Sequence, residues 1–286
     1  MNDFVLGDNQ YGKAETRLVR VDRGEAGRHT IVDLNVTTTL AGDLAATHLT
    51  GDNSGVLPTD TQKNTVYAFA RDGVGEIEDF ALRLATHFVD TAPTISRARV
   101  RIEQYSWERL ADHSFRRAAG TRTATATFDG TGSWVVSGVQ DVVVLNTTGS
   151  EFHGFQKDRY TTLAETTDRI LATAVTAHWR HAEARNDDWA GSFAESTRHL
   201  LAAFTDTHSL SLQQTLHAMG RSVLANRPEV AEVRLALPNK HHFLVDLAPF
   251  GLDNPGEVFY AADRPYGLIE GTVLRADAPE PGLAWW

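Results

Sequence analysis

Residues 77–102, IEDFALRLATHFVDTAPTISRARVRI, change their periodicity partway along, and that change decides the fold class. In the first half Ile77, Phe80, Leu84 and Phe88 recur at helical spacing, which gives a helix one apolar stripe. In the second half Ala98, Val100 and Ile102 alternate with Arg97, Arg99, Arg101 and Glu103, the two-residue period of a strand with one buried and one charged face. Upstream, Val32, Leu34, Val36 and Leu40 alternate in the same way, so helical sequence lies between two strand-rich regions. The first half of the chain reads strand, strand, helix, helix, strand, strand.

The second half repeats that order with little identity to the first. Residues 142–145 and roughly 170–179 read as strands, and 189–204 and 210–225 as helices, the second with Leu212, Leu216, Met219 and Val223 as its stripe. Asn226 and Pro228 end that helix, Val233, Leu235 and Leu237 resume the alternation, and residues 243–247 and 266–273 supply further strands. The expected architecture is α+β, with antiparallel sheets carrying helices on one face and a partly polar opposite face that meets water or a partner. The turn-rich stretch 129–138 marks the expected boundary between a unit over 1–138 and another over 139–286. The tail over 276–282 reads as extended, with Trp285 and Trp286 docked on something.

A chain of 286 residues, 42% apolar and 22% charged, has the composition of a folded globular protein with room for more than one core. The net charge of −10 with no basic block argues against a nucleic-acid surface, so an anionic small ligand needs local arginine or lysine. The absence of cysteine excludes disulfides, thiolate zinc sites, iron–sulfur clusters and cysteine nucleophiles. The start, MNDFVLGDNQYGK, lacks a basic region followed by an apolar run, and no stretch reaches the ~18 apolar residues of a membrane span. The expected location is the cytoplasm, and GLAWW at residues 282–286 carries no Ser-Lys-Leu address.

Several segments hold residue types suited to chemistry. In LPTDTQKNTVYAFARDG, Thr59 and Gln62 have capping-box spacing and Gly73 is placed to stop the helix, so Thr59 and Asp60 sit at a helix N-terminus where free N–H groups favour an anion. Taken alone, a threonine so placed is more often a plain cap. Lys13 in the Tyr-Gly-Lys at 11–13 is either a strand-edge charge or a lysine placed to move protons. SEFHGFQKDRYTTLAETTDRIL supplies Phe152, Leu163 and Arg169, an aromatic face, an apolar wall and a guanidinium that together suit a flat acidic heterocycle, although taken alone Arg169 is as readily a surface ion-pair partner of a neighbouring acid and Phe152 a core residue. LPNKHHFLVDL puts Asn239, Lys240, His241 and His242 between two strands in no zinc-binding pattern. His178 and His181 fall on a strand, where their spacing does not suit a metal, and DGTGS at 129–133 reads as a hairpin turn.

Taken together and in order, Tyr-Gly-Lys, TDTQKNTVY, SEFHGF with DRYTTLAETTDRIL, SLQQT around Gln213, and LPNKHHFLVDL resemble the urate oxidase (uricase) family, in its actinobacterial form, over nearly the whole chain. The resemblance implies the tunnelling fold, two tandem ββααββ units per chain, and a homotetramer built around a β-barrel tunnel. Residue by residue it implies that Arg169 and Gln213 clamp urate and Phe152 stacks on it. It also implies that Leu212 and Asp60 bind through the backbone and that Leu163 forms a wall. It likewise implies that Lys13, Thr59 and His241 form the catalytic proton relay and that Asn239 with Thr59 holds dioxygen and water.

The chemistry implied is oxidation of urate by dioxygen and water to 5-hydroxyisourate and hydrogen peroxide, with no metal or flavin required. An arginine fork opposite a glutamine amide suits the carbonyl and ring-nitrogen edge of an anionic purine. Two alternatives stand beside it: another purine or pterin enzyme of the tunnelling fold, and a non-catalytic purine-binding module. Zinc ligands or a glutamate anchor distinguish the first, and loss of Lys13, Thr59 or His241 the second.

Overall fold

Eight strands and five helices follow one another in a computed structural model that describes residues 4–24 and 27–286. Residues 1–3 and 25–26 of the expected first unit lie outside the described residues. The strands are β1 (Tyr11–Arg23), β2 (His29–Gly42), β3 (Ile95–Ala111), β4 (Ser114–Phe128), β5 (Ser133–Asn146), β6 (Leu171–His181), β7 (Val230–Leu244) and β8 (Phe259–Leu274). The helices are α1 (Ala45–Thr50), α2 (Thr59–Asp72), α3 (Ile77–Thr91), α4 (Trp189–Asp206) and α5 (Leu212–Asn226). The α+β class and its duplicated tunnelling order are thus present, with α1 as an addition the apolar pattern did not signal.

The chain divides into two compact units. One comprises Met1–Gly138, Trp179–Phe193 and Pro279–Trp286, the other Val139–His178 and Ala194–Ala278.

In the first unit β1 to β4 pair antiparallel in sequence order. The alternation does what it predicts: Leu34, Val36 and Leu40 of β2 and Ala98, Val100 and Ile102 of β3 are fully buried, and the arginines between them lie on the other face. The stripe Ile77, Phe80, Leu84 and Phe88 of α3 is likewise fully buried and closes one core with the sheet. The turn expected over 129–138 occupies only 129–132, where the Asp129 carboxylate accepts from the N–H groups of Thr131 and Gly132. Residues 133–138 are strand, because Val135, Val136 and Ser137 have a core to enter.

The tail expected to be extended over 276–282 turns at 276–277, where the Ala278 N–H donates to the Arg275 carbonyl at 3.2 Å, and turns again over 282–285. The Pro279 carbonyl accepts from Arg180 at 2.9 Å, and the Trp286 ring lies 3.9 Å from the Arg97 guanidinium. Arg99 donates to the Trp286 carbonyl.

In the second unit α5 packs on β7 and β8. Gly220 and Gly271 allow that approach, since an added Cβ would lie 2.7 Å from Val273 and 2.8 Å from Leu216. Leu212, Leu216, Met219 and Val223 are buried as their spacing predicts. The strand expected at 243–247 does not exist separately. Phe243 and Leu244 are the end of β7, which runs on through Pro238 because β8 pairs with it on either side of a register shift. No helix among the described residues is long and apolar enough to cross a membrane.

Candidate active site

The candidate residues fall into two groups, one in each unit. Lys13, Thr59 and Asp60 belong to the first; Phe152, Leu163, Arg169, Leu212, Gln213, Asn239 and His241 belong to the second.

In the first group, Lys13 lies on β1 opposite Thr38, immediately before a bulge at which two residues of β1 face one of β2. Its N–H donates to the Thr38 hydroxyl at 3.3 Å. That hydroxyl donates to Gln62 Oε1 at 2.7 Å, and Gln62, wholly buried in the first turns of α2, donates through Nε2 to the Leu57 carbonyl at 3.4 Å. The Tyr11 hydroxyl completes the ring, donating to the Leu57 carbonyl at 2.9 Å and accepting from the Leu57 N–H at 3.0 Å. These bonds tie the strand of Lys13 to the start of α2. Burial raises the Tyr11 hydroxyl above its ordinary range, so it stays protonated and able to donate.

The capping-box reading of Thr59 and Gln62 is corrected here. The N-cap position is Pro58, Thr59 is the first helical residue, and no side chain caps the helix. Gln62 is drawn into the core by Thr38, where it does more than it could by reaching back to Thr59. Thr59 and Asp60 still occupy the first turn, where backbone N–H groups have no intrahelical partner. A hydrogen bond from Lys63 holds the Asp60 carboxyl below the usual range, with a smaller contribution from the charge of Lys13.

In the second group, three irregular segments meet. Ser150 bridges Ser209, with the Glu151 N–H donating to the Ser209 carbonyl at 2.7 Å and the Ser209 N–H to the Gly149 carbonyl at 2.9 Å. Phe152 and Thr166 exchange backbone hydrogen bonds at 2.8 and 3.0 Å. On this platform the Arg169 guanidinium stands 5.2 Å from the Phe152 ring, and its Nε donates to Ser150 Oγ at 3.2 Å. Arg169 has no carboxylate partner among the described residues. Burial lowers its pKa from the ordinary value, which marks a cation partly withdrawn from water. Phe152 is half-buried and stacks on Phe155 at 5.0 Å; it is not a core residue. Leu163 sits on the same irregular stretch and is 57% exposed.

Helix α5 begins one residue beyond Ser211, whose hydroxyl accepts from the Gln214 N–H at 3.2 Å. The helix therefore starts at Leu212 and not at 210, because Leu210 lies upstream of the cap. Leu212 and Gln213 are its first two residues, Leu212 buried and Gln213 exposed. Asn239 and His241 lie within β7, not between strands, on either side of a register shift against β8. The His241 ring stacks on Phe243 at 5.7 Å. Burial, then the charges of Arg169 and His242, push His241 below the usual histidine range, so it is neutral near neutral pH.

What each group offers is clear in chemical terms. The first has a lysine, a hydroxyl and helix N–H groups without an intrahelical partner; the second has a guanidinium with no carboxylate partner among the described residues beside an aromatic face, an exposed amide and a neutral imidazole. The sequence did not single out Ser150, Ser209, Thr38 or Tyr11, which hold these groups in place. For Ser211 the signal existed in the Ser-x-x-Gln of SLQQ.

A family model described as Uricase matches residues 9–130 and 135–270. The uricase of Arthrobacter globiformis is 55% identical over 284 residues, which cover 98% of this chain and 93% of that one. That of Dictyostelium discoideum is 37% identical over 282 residues, 95% of this chain and 98% of its own. A crystal structure of uricase from Arthrobacter globiformis superposes with a TM-score of 0.94 at 54% identity, covering 98% of each chain.

Proposed function

This chain belongs to the uricase family and is a urate oxidase, and from that premise we propose that its two groups of residues, contributed by neighbouring subunits of a homotetramer, form one pocket in which dioxygen oxidises urate without metal or flavin. The observation that supports this best is Arg169, a half-buried cation beside the face of Phe152 with no carboxylate partner among the described residues. Such a charge is costly to leave uncompensated, and a planar anion edge-on to the guanidinium and face-on to the ring compensates it.

In this reading Gln213 faces Arg169 across the purine, and the N–H groups of Leu212 and Asp60, each in the first turn of a helix, hold its carbonyl oxygens. Leu163 walls the pocket. Neutral His241 can accept a proton, and the Thr59 hydroxyl can pass one to or from Lys13. Removing a proton from the urate monoanion makes the ring electron-rich enough to reduce dioxygen, with Asn239 and Thr59 holding first the oxygen and then water. Overall, urate gives up two electrons and gains a hydroxyl from water at C5, while dioxygen takes the two electrons and two protons to leave as hydrogen peroxide.

Assembly into a homotetramer is supported by strand residues whose apolar side chains face outward: Val19 and Trp107 in the first unit and Val143, Tyr260 and Leu268 in the second. We read residues 1–138 and 139–286 as the two tandem repeats and the cytoplasm as the compartment, a chain without cysteine needing no oxidising one. The test is loss of urate's ultraviolet absorbance with one dioxygen consumed per urate by metal-stripped protein. Turnover that appears only when metal or flavin is added back overturns the cofactor-free reading.

A further inference from the structure

Arginine presents two hydrogen-bonding edges to a planar anion, one through Nε and a terminal nitrogen, the other through both terminal nitrogens. In this protein the choice is already made. Arg169 Nε donates to Ser150 Oγ at 3.2 Å, Ser150 is 1% exposed, and no other protein acceptor engages the guanidinium among the described residues. The terminal edge is left for a ligand, and the Phe152 ring 5.2 Å away limits how the guanidinium plane can tilt.

Ser150 cannot follow the arginine if it swings. It is bridged to Ser209, and backbone bonds on both sides of that bridge, at 2.7 and 2.9 Å, fix the segment. The buried Ser209 hydroxyl donates to the Ser211 carbonyl at 3.1 Å and accepts from Thr215 at 2.8 Å. Ser211 is the N-cap of α5, the helix that carries Gln213. One platform therefore supports both arms of the clamp.

We propose that Ser150 is a positioning residue for urate: its hydroxyl holds Arg169 by Nε so that the two terminal nitrogens face the purine at a fixed spacing from Gln213. This rests on the reading of Arg169 as the urate clamp. Buried and bonded to Arg169, the hydroxyl acts on binding through the arginine, in ground state and transition state alike.

The test is Ser150→Ala in the full-length assembled enzyme, read by urate KM and kcat and by the Kd of xanthine, a planar purine measured by calorimetry. The expected result is a roughly 10–100-fold rise in KM and in xanthine Kd, the effect of losing one hydrogen bond to a charged group, with kcat within about threefold. Ser150→Thr, which keeps the hydroxyl, restores much of the loss. Arg169→Ala and the double variant complete a cycle, with saturation-transfer NMR covering affinities too weak for heat. Once Arg169 is gone, Ser150→Ala should change xanthine affinity less than twofold. Parental binding by Ser150→Ala, or an equal loss with and without Arg169, overturns the positioning role while leaving the clamp intact. Parental binding by Arg169→Ala overturns the clamp reading itself, and the inference with it.

Discussion

Replacing Gly12 by alanine puts a methyl where backbone already stands. An added Cβ would lie 1.8 Å from the Thr38 carbonyl oxygen, 2.8 Å from its carbon and 3.0 Å from the Thr39 Cα. None of these atoms belongs to a side chain that can rotate away. Even a weak C–H···O contact needs ~3.3 Å, so β1 must lift from β2 by roughly 1.5 Å at this point. Tyr11 pairs with Leu40 and Lys13 with Thr38 on either side, so two ladder contacts loosen together. At ~1 kcal/mol for each of the two hydrogen bonds and ~1–3 kcal/mol for the overpacking, the cost is about 3–5 kcal/mol.

The same displacement moves Lys13 and strains the Tyr11 bonds to Leu57, so α2 shifts relative to the strand. A misplacement of about 1 Å near reacting groups can cost ~100-fold in rate, and Gly12→Ala should lose turnover on that scale even where it remains folded. Denaturant unfolding and urate turnover measure the two effects. Gly7→Ala is the control, since a Cβ there meets nothing within 4 Å. A Gly12→Ala protein with the parent's unfolding midpoint and turnover would refute the close approach and the hold it gives on Lys13.

Three further outcomes follow from the site. Lys13→Met should bind xanthine like the parent but turn urate over ~10²–10⁴-fold more slowly, and an unchanged kcat returns Lys13 to the role of an edge charge. Lys13→Ala and Arg169→Ala homo-oligomers should each be nearly inactive, whereas mixed oligomers purified through two different tags should recover up to about half of parental activity, because one pocket of each mixed pair then draws both residues intact; mixed species no more active than the parents exclude a shared pocket. His242→Gln removes one of the charges that depress His241, so the His241 pKa rises. Since neutral His241 is the working form and is lost as pH falls through that pKa, the acid limb of kcat should move to higher pH, and a limb that stays in place removes His241 from the relay.

The fold was legible wherever one face of an element was apolar and the other was not. The stripe of α3 and the alternation of β3 read correctly because both enter one buried apolar cluster. Helix starts were less legible, and TDTQ and SLQQ show why. Both have the capping-box spacing, yet Ser211 caps α5 and Thr59 does not cap α2. Gln214 turns back to accept from the Leu210 N–H at 2.8 Å, a local bond. Gln62 instead meets Thr38, 24 residues earlier in the chain, and is buried by the meeting. The local sequence is the same in kind, and a tertiary contact decides between the outcomes.

The candidate site lies where this limit is most severe. A regular strand sends alternate side chains to core and solvent, and periodicity detects that regularity. Lys13 precedes a bulge in β1, and His241 follows a register shift in β7. A bulge bends the strand and re-aims the side chains beside it, so a lysine or histidine can point along a direction the ladder would not offer. Ser150 and Phe152 go further, being held by isolated bridges with no strand around them. A pattern of period two finds the parts of a sheet that are busy making a core. The residues read here as proton carriers and as the urate clamp stand where that pattern breaks, and only colinear motifs, each weak alone, could point to them from the sequence.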